Sequence, residues 1–231
     1  NNLKKNKITF RGTFARFIYK RNNSIINLLK LLRKLKITSN YYSITIIKKI
    51  PVFAGLGGGT GNAAFILKSL IKKRFNNGLI KKIERVVGSD FRLFFNSHGF
   101  LRNLDNVIDL KKKQKFFFVL IQPKIKCSSK RIYSKIRKFS KKKPFIKRNI
   151  NTKSKYINFL IREKNDLQSV VENNYPVIKK LLIDIKNQQD CYFSRMTGSG
   201  SVCYGLFADQ IAAKRALNKL KSKYPKFWFS F

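Results

Sequence analysis

An α+β chain is predicted for this sequence of 231 residues, and three features predict it. Ile25, Leu28, Leu29, Leu32 and Leu35 recur at helical spacing behind a polar Asn22-Asn23-Ser24 cluster that can cap a helix. Tyr42, Ile44 and Ile46 alternate with Ser43 and Thr45, the period of a half-buried strand. The second half reads strand, helices, two strands, helix, strand. The length suits one large domain or two small ones sharing a cleft. A composition shift over Asp109–Lys115 divides it into 1–114 and 115–231.

Taken in order, Ile8–Ile18 reads as a strand broken by Gly12, and Ser24–Leu35 as the first helix. The strand over Tyr42–Ile46 leads into PVFAGLGGGTGNAA, Pro51 to Ala64. Ala63, Ile66, Leu67, Leu70 and Ile71 then mark one face of a second helix, which Asn76-Asn77-Gly78 stops. A third helix spans Leu79–Val87 and ends at Gly88-Ser89-Asp90. FFFVLIQP, Phe116 to Pro123, is a buried strand closed by proline. Ser128 can cap a helix carrying Ile132, Tyr133 and Ile136, and Ser140–Lys155 reads as an exposed basic connection. Asp166 opens another helix, and Pro176 suits the first turn of the next. Tyr192–Arg195 and Val202–Phe207 are strands flanking a TGSGS turn. Ala212, Ala213, Ala216, Leu217 and Leu220 form a last helical face before a strand at Phe227–Phe231.

Composition narrows the function classes. Hydrophobic residues make up 43%, including 21 Phe, enough for a packed core and against wholesale disorder. No apolar run approaches the ~18–20 residues of a membrane helix, and the N-terminal NNLKKNKITF is no secretory signal. Cys127, Cys191 and Cys203 contain no CxxC pair, which speaks against zinc and a disulfide framework. A reducing compartment follows, a bacterial cytoplasm or an organelle. The net charge of +42 invites nucleic-acid binding. The lysines are spread along a chain also rich in Asn, Ile and Phe, so compositional drift ranks ahead of nucleic acid; either way the charge attracts anionic substrates.

A strand, a glycine loop and a helix make an anion site. The first helical turn has unpaired N–H groups at a positive dipole end, and glycines let phosphate oxygens approach the backbone. Two familiar loops are excluded: Gly61 is followed by Asn62, not Lys-Ser/Thr, and a dinucleotide fingerprint begun at Gly55 and Gly57 meets Thr60 at its third glycine. A tight turn needs one or two glycines, and the four between Gly55 and Gly59 exceed that.

PVFAGLGGGTGNAA resembles the second motif of the GHMP kinases. SRMTGSGSVCYGLF, Ser194 to Phe207, resembles their third motif, and VVGSDFRLFF, Val86 to Phe95, resembles their Gly-Ala/Ser-Asp-Val-Pro-Phe segment. The three occur in the family's order, and similarity extends over nearly the whole chain. The resemblance implies a two-domain fold: an N-terminal part like the second domain of a small-subunit ribosomal protein, lacking its first strands, and a ferredoxin-like C-terminal domain. It implies ATP with Mg²⁺ as cofactors and a cytidine-diphosphate-linked sugar alcohol as substrate, phosphorylated in isoprenoid precursor synthesis outside the mevalonate route. It places ATP on Pro51, Val52, Phe53, Ala54, Gly55, Leu56, Gly57, Gly58, Gly59, Thr60 and Gly61. Thr197, Gly198, Ser199 and Gly200 would form a second cofactor-binding glycine turn facing the first across the cleft. Asp90 matches the catalytic aspartate, base or orienter of the substrate hydroxyl, against a plain turn residue. Lys48, in IIKKIP, falls on the substrate or nucleotide side, against an ordinary solvated lysine.

The chain also departs from the family. Gly61 stands where a serine is usual, which removes a hydroxyl, and Arg92 stands where a proline is usual, which suggests a looser loop around Asp90. Nothing before Asn22 matches the first motif, which supplies a lysine and a cytidine-contacting histidine; His98 reads as a surface or turn residue. With Asn1 first and Met196 the only methionine, an N-terminal truncation is expected. Two alternatives stay open: an impaired relative that still binds nucleotide, and a basic RNA-binding protein.

Overall fold

The computed structural model describes residues 4–19, 21–71, 75–96, 99–103, 106–109, 114–137, 139–140 and 152–231. The chain clusters into two compact units, Asn1–Val52 with Gly57–Lys111, and Phe53–Leu56 with Lys112–Phe231. The glycine stretch therefore changes units between Leu56 and Gly57.

In the first unit, β1 (Lys7–Arg11) pairs in parallel with β2 (Ser43–Ile47), with Lys7 opposite Ser43 and Arg11 opposite Ile47. Three helices follow the apolar periodicity: α1 (Ser24–Lys34), α2 (Gly58–Leu70) and α3 (Asn77–Val87). Asn23 caps α1, its Oδ1 accepting from the N–H of Ile25 and Ile26, and Asn76 caps α3 by accepting from Leu79. Leu28, Leu29 and Leu32 of α1, Ala63, Ala64 and Leu67 of α2, and Ile83 of α3 close one core over the sheet, with Phe91 buried among them. A single 3₁₀ turn over Phe91–Phe95 follows α3.

Two expectations change here. The strand expected over Ile8–Ile18 ends at Arg11, and a 3₁₀ turn covers Ala15–Phe17. Gly12, at φ +92, is the break: a Cβ there would lie 2.8 Å from the Lys48 carbonyl oxygen. A hairpin of β3 (Gly99–Asn103) and β4 (Asn106–Asp109) was not anticipated; its strands are short and antiparallel, with a register shift between Leu101 and Asn103. His98 lies outside the described residues, as does most of the expected basic connection.

The second unit is built on an antiparallel sheet in the order β6 (Cys191–Met196), β7 (Cys203–Phe207), β5 (Phe117–Gln122), β8 (Trp228–Ser230). Side chains alternate across it. Val119 and Ile121 of β5 and Phe207 of β7 face a core filled by α6 (Gln168–Asn174), α7 (Pro176–Lys186) and α8 (Gln210–Lys223). Phe118, Phe193, Tyr204 and Leu206 point to the other face, where Ile157 and Leu160 of α5 (Lys153–Arg162) cover them. That two-sided burial explains the continuous apolar run Phe116–Ile121. Pro176 occupies the first turn of α7 as expected.

α5 begins inside the stretch expected to be a connection, capped by Thr152, whose Oγ1 accepts from the Lys155 N–H. The helix after Ser128 is a short one, α4 (Ser129–Tyr133). Asp166 opens no helix. Its carboxylate accepts from the N–H and hydroxyl of Ser140, and Asn165 Oδ1 takes the Leu167 N–H before α6 begins at Gln168. Those Ser140 bonds hold the Asp166 carboxyl below its ordinary range.

Among the described residues no helix is long and apolar enough to cross a membrane. All three cysteines are free and buried. Burial pushes the Cys191 thiol up to about 11 and the Cys203 thiol higher still, so both are inert side chains of the core.

Candidate active site

The start of α2 lacks a side-chain cap. Gly57 caps the helix in the left-handed conformation, φ +61, without any side-chain hydrogen bond to the helix. A side-chain cap would occupy the place where an anion can sit. Gly61 N–H already donates to Gly57 O at 2.8 Å, so the N–H groups left without a partner inside the helix are those of the turn before it, Gly58 to Thr60.

Three polar side chains stand beside this turn. Lys48 is buried, 5% exposed, and a Cβ on Gly58 would stand 2.8 Å from its Nζ. Its backbone is fixed by Lys48 N–H donating to Arg11 O at 2.7 Å and its own carbonyl accepting from Phe14 N–H at 3.3 Å. Among the described residues no carboxylate pairs with the ammonium. Burial lowers its pKa below the ordinary 10.5. A solvated surface lysine is thereby ruled out. Asp90 stands on the Gly57 side, its Oδ2 lying 3.6 Å from where a Gly57 Cβ would be. Ser24 Oγ lies 3.1 Å from the corresponding point at Gly59; no sequence motif singled it out.

The two departures from the family pattern acquire physical reasons. A Cβ on Gly61 would lie 2.7 Å from the ring edge of Phe94, so the missing hydroxyl leaves room for that ring against the first turn of α2. Arg92 does not loosen its loop. It is buried and forked onto Glu84 of α3, Nε to Oε1 and Nη2 to Oε2, both at 2.8 Å. Thr60 is buried too, and its Oγ1 faces Gly88, 2.8 Å from a Cβ built there. What Thr60 offers at the helix start is its N–H, not its hydroxyl.

The other glycine turn belongs to the second unit, where the first half of the loop packs on it. Thr197 Oγ1 donates to Ala54 O at 2.9 Å, and the N–H groups of Ser201 and Val202 donate to Phe53 O and Ala54 O, both at 3.3 Å. Gly55 has φ +70, and a Cβ there would lie 2.1 Å from Thr197 O. Thr197 to Gly200 were expected to face the loop; they touch its Ala54-Gly55 segment directly. Asn165, which sequence reasoning missed, donates from Nδ2 to Met196 O at 2.9 Å and Gly198 O at 2.8 Å. Ser199 is buried and shares a 2.7 Å hydrogen bond with Ser129.

The fold and this glycine-led helix start define a small-molecule kinase of the GHMP class. The family description "GHMP kinases C terminal" matches residues 142–226. A solved 4-(cytidine 5'-diphospho)-2C-methyl-D-erythritol kinase superposes with a TM-score of 0.68 over 97% of this chain and 81% of that one, at 20% identity. Homoserine kinase from Cytophaga hutchinsonii superposes with a TM-score of 0.66 over 100% of this chain and 83% of that one, at 15% identity. The chain belongs to the 4-diphosphocytidyl-2-C-methyl-D-erythritol kinase family: it is 37% identical to the Pelagibacter ubique member across 99% of its own length and 82% of that protein's. The Wolbachia pipientis member is 29% identical across 89% of this chain and 73% of that protein.

Proposed function

We propose that this chain transfers the γ-phosphate of ATP to a hydroxyl of 4-diphosphocytidyl-2-C-methyl-D-erythritol. The observation that carries the reading is Lys48: a buried ammonium, unpaired with any carboxylate among the described residues, set beside the uncapped positive end of α2. A buried ammonium beside the positive end of a helix is costly, and a phosphate chain between them offsets that cost. The N–H groups of Gly58 to Thr60 and the Lys48 ammonium then hold ATP phosphates. Within the second unit, Thr197 to Val202 brace the Phe53–Gly55 segment of the loop.

Asp90 takes the role of base or orienter. The substrate hydroxyl oxygen bonds to the γ-phosphorus, the bond to the bridging oxygen breaks, ADP departs, and the hydroxyl proton passes to the Asp90 carboxylate. Mg²⁺ when bound neutralises charge on the phosphate oxygens. Asp90 would be the carboxylate that helps hold it.

The test is ADP release by the purified chain with ATP, Mg²⁺ and the cytidine-linked substrate, beside Asp90→Asn. Turnover falls about 10²–10⁴-fold in the variant, with ATP affinity within roughly threefold. Undiminished turnover would remove Asp90 from the chemistry. ATP binding without ADP formation in the unaltered chain would leave the impaired, nucleotide-binding relative as the reading.

A further inference from the structure

We infer that the buried Glu84–Arg92 pair is the positioning device for Asp90, a role that rests on the catalytic reading of that aspartate. Asp90 itself makes no side-chain cap to the turn that follows it, so its carboxylate is only as well placed as its backbone. That backbone runs from Gly88 to Arg92, and Glu84 grips both ends. The Glu84 carbonyl accepts the Gly88 N–H at 3.0 Å, and its carboxylate accepts both arms of the Arg92 fork at 2.8 Å. The two side chains are only 10% and 11% exposed. A planar guanidinium fixed by two parallel bonds, away from water, defines a direction as well as a distance. Between the grips Phe91 N–H donates to Gly88 O, and just past Arg92 the Leu93 N–H donates to Asp90 O, each at 3.1 Å. Further along, Lys68 of α2 donates to Phe94 O at 2.6 Å and tethers the turn to the helix whose start Asp90 faces. Arg92 thus supplies rigidity that a free turn of this length lacks.

The pair acts through Asp90, whose backbone it holds. A displaced base costs rate more than binding. Glu84→Gln and Arg92→Met are therefore expected to lower kcat about 10–100-fold, with the KM for ATP within roughly threefold. Arg92→Lys does not restore it, since a point charge cannot reproduce the fork. In the Asp90→Asn background, Glu84→Gln lowers kcat no further, because groups acting as one unit are not additive. Hydrogen exchange gives a readout independent of turnover: the amides of Phe91 and Leu93 exchange faster in Glu84→Gln than in the unaltered chain. Should Arg92→Met fail to fold, Glu84→Gln keeps the size and an acceptor and carries the test.

Full kcat per folded molecule in Glu84→Gln, with only the unfolding temperature lowered, would overturn the inference, as would unchanged exchange at Phe91 and Leu93. Full turnover in Asp90→Asn would instead sink the catalytic reading, whatever the pair does to the turn. Loss in Asp90→Asn beside full rate in Glu84→Gln would sink the positioning role alone.

Discussion

The two glycine turns, one at the start of α2 and one at Thr197–Gly200, are alike in composition and opposite in state. In the second, backbone and side-chain groups are consumed internally: Asn165 takes two carbonyls, Thr197 takes Ala54, and Ser199 takes Ser129. In the first, no side chain caps the helix, and the nearest cation, Lys48, is paired with no carboxylate among the described residues. Glycine content alone does not mark a binding site; what differs between the two turns is how many of the polar groups around them are already hydrogen-bonded.

Substitutions can test that contrast. The largest effect on stability is expected from Gly55→Ala, because a Cβ would stand 2.1 Å from a backbone oxygen at φ +70. Neither atom can retreat cheaply, and a loss of about 3 kcal/mol follows, read as a lower denaturation midpoint. A loss as small as that of a surface substitution would show that the braced turn is not rigid.

Next comes Lys48→Met. Removing a buried, uncompensated charge leaves the ligand-free protein at least as stable, while ATP affinity falls about tenfold, or ~1.4 kcal/mol. Calorimetry on both forms checks this; a destabilised ligand-free variant would mean that Lys48 already has its counter-charge.

The same lysine sets a pH dependence. Its folded pKa lies below the ordinary 10.5, so between the two values the unfolded chain binds the extra proton. Ligand-free stability therefore rises with pH through that window and is lost as pH falls through the folded pKa. ATP affinity moves the opposite way, declining as the ammonium is lost. Lys48→Met should flatten both slopes, measured by denaturation and titration at alkaline pH.

The smallest effect is Gly61→Ser. The contact it creates is with the edge of the Phe94 ring, a partly exposed side chain that can swing aside. A change below about 1 kcal/mol is expected, since the better helix propensity of serine offsets part of the displacement. Repeating it with Phe94→Ala removes the collision; a persisting loss would place the cause elsewhere.

Much of this molecule was legible in its sequence. The apolar spacing of α1, α2 and α3, the continuous run of β5 and the proline of α7 each encode a local preference that tertiary packing reinforces. The order of the three glycine and aspartate motifs gave the family. The hairpin β3–β4 escaped because its strands carry only Phe100, Leu101, Val107 and Ile108 as an apolar signal. α5 escaped because its apolar residues, Tyr156, Ile157, Leu160 and Ile161, follow a long basic stretch that hid its start.

The sequence by itself determined α1, α2, α3, α7 and α8 and the glycine-led start of α2, since these follow from spacing and backbone chemistry along a few consecutive residues; Asp90 was put forward by resemblance to the family's motif. Only the tertiary structure decided that Lys48 is buried beside α2 with no carboxylate partner among the described residues, that Arg92 reaches across eight residues to Glu84, and that Asn165 seals a turn 33 residues away. Burial and pairing belong to the neighbours a side chain meets in space. No local period records them, and the same lysine on an open surface would have been ordinary.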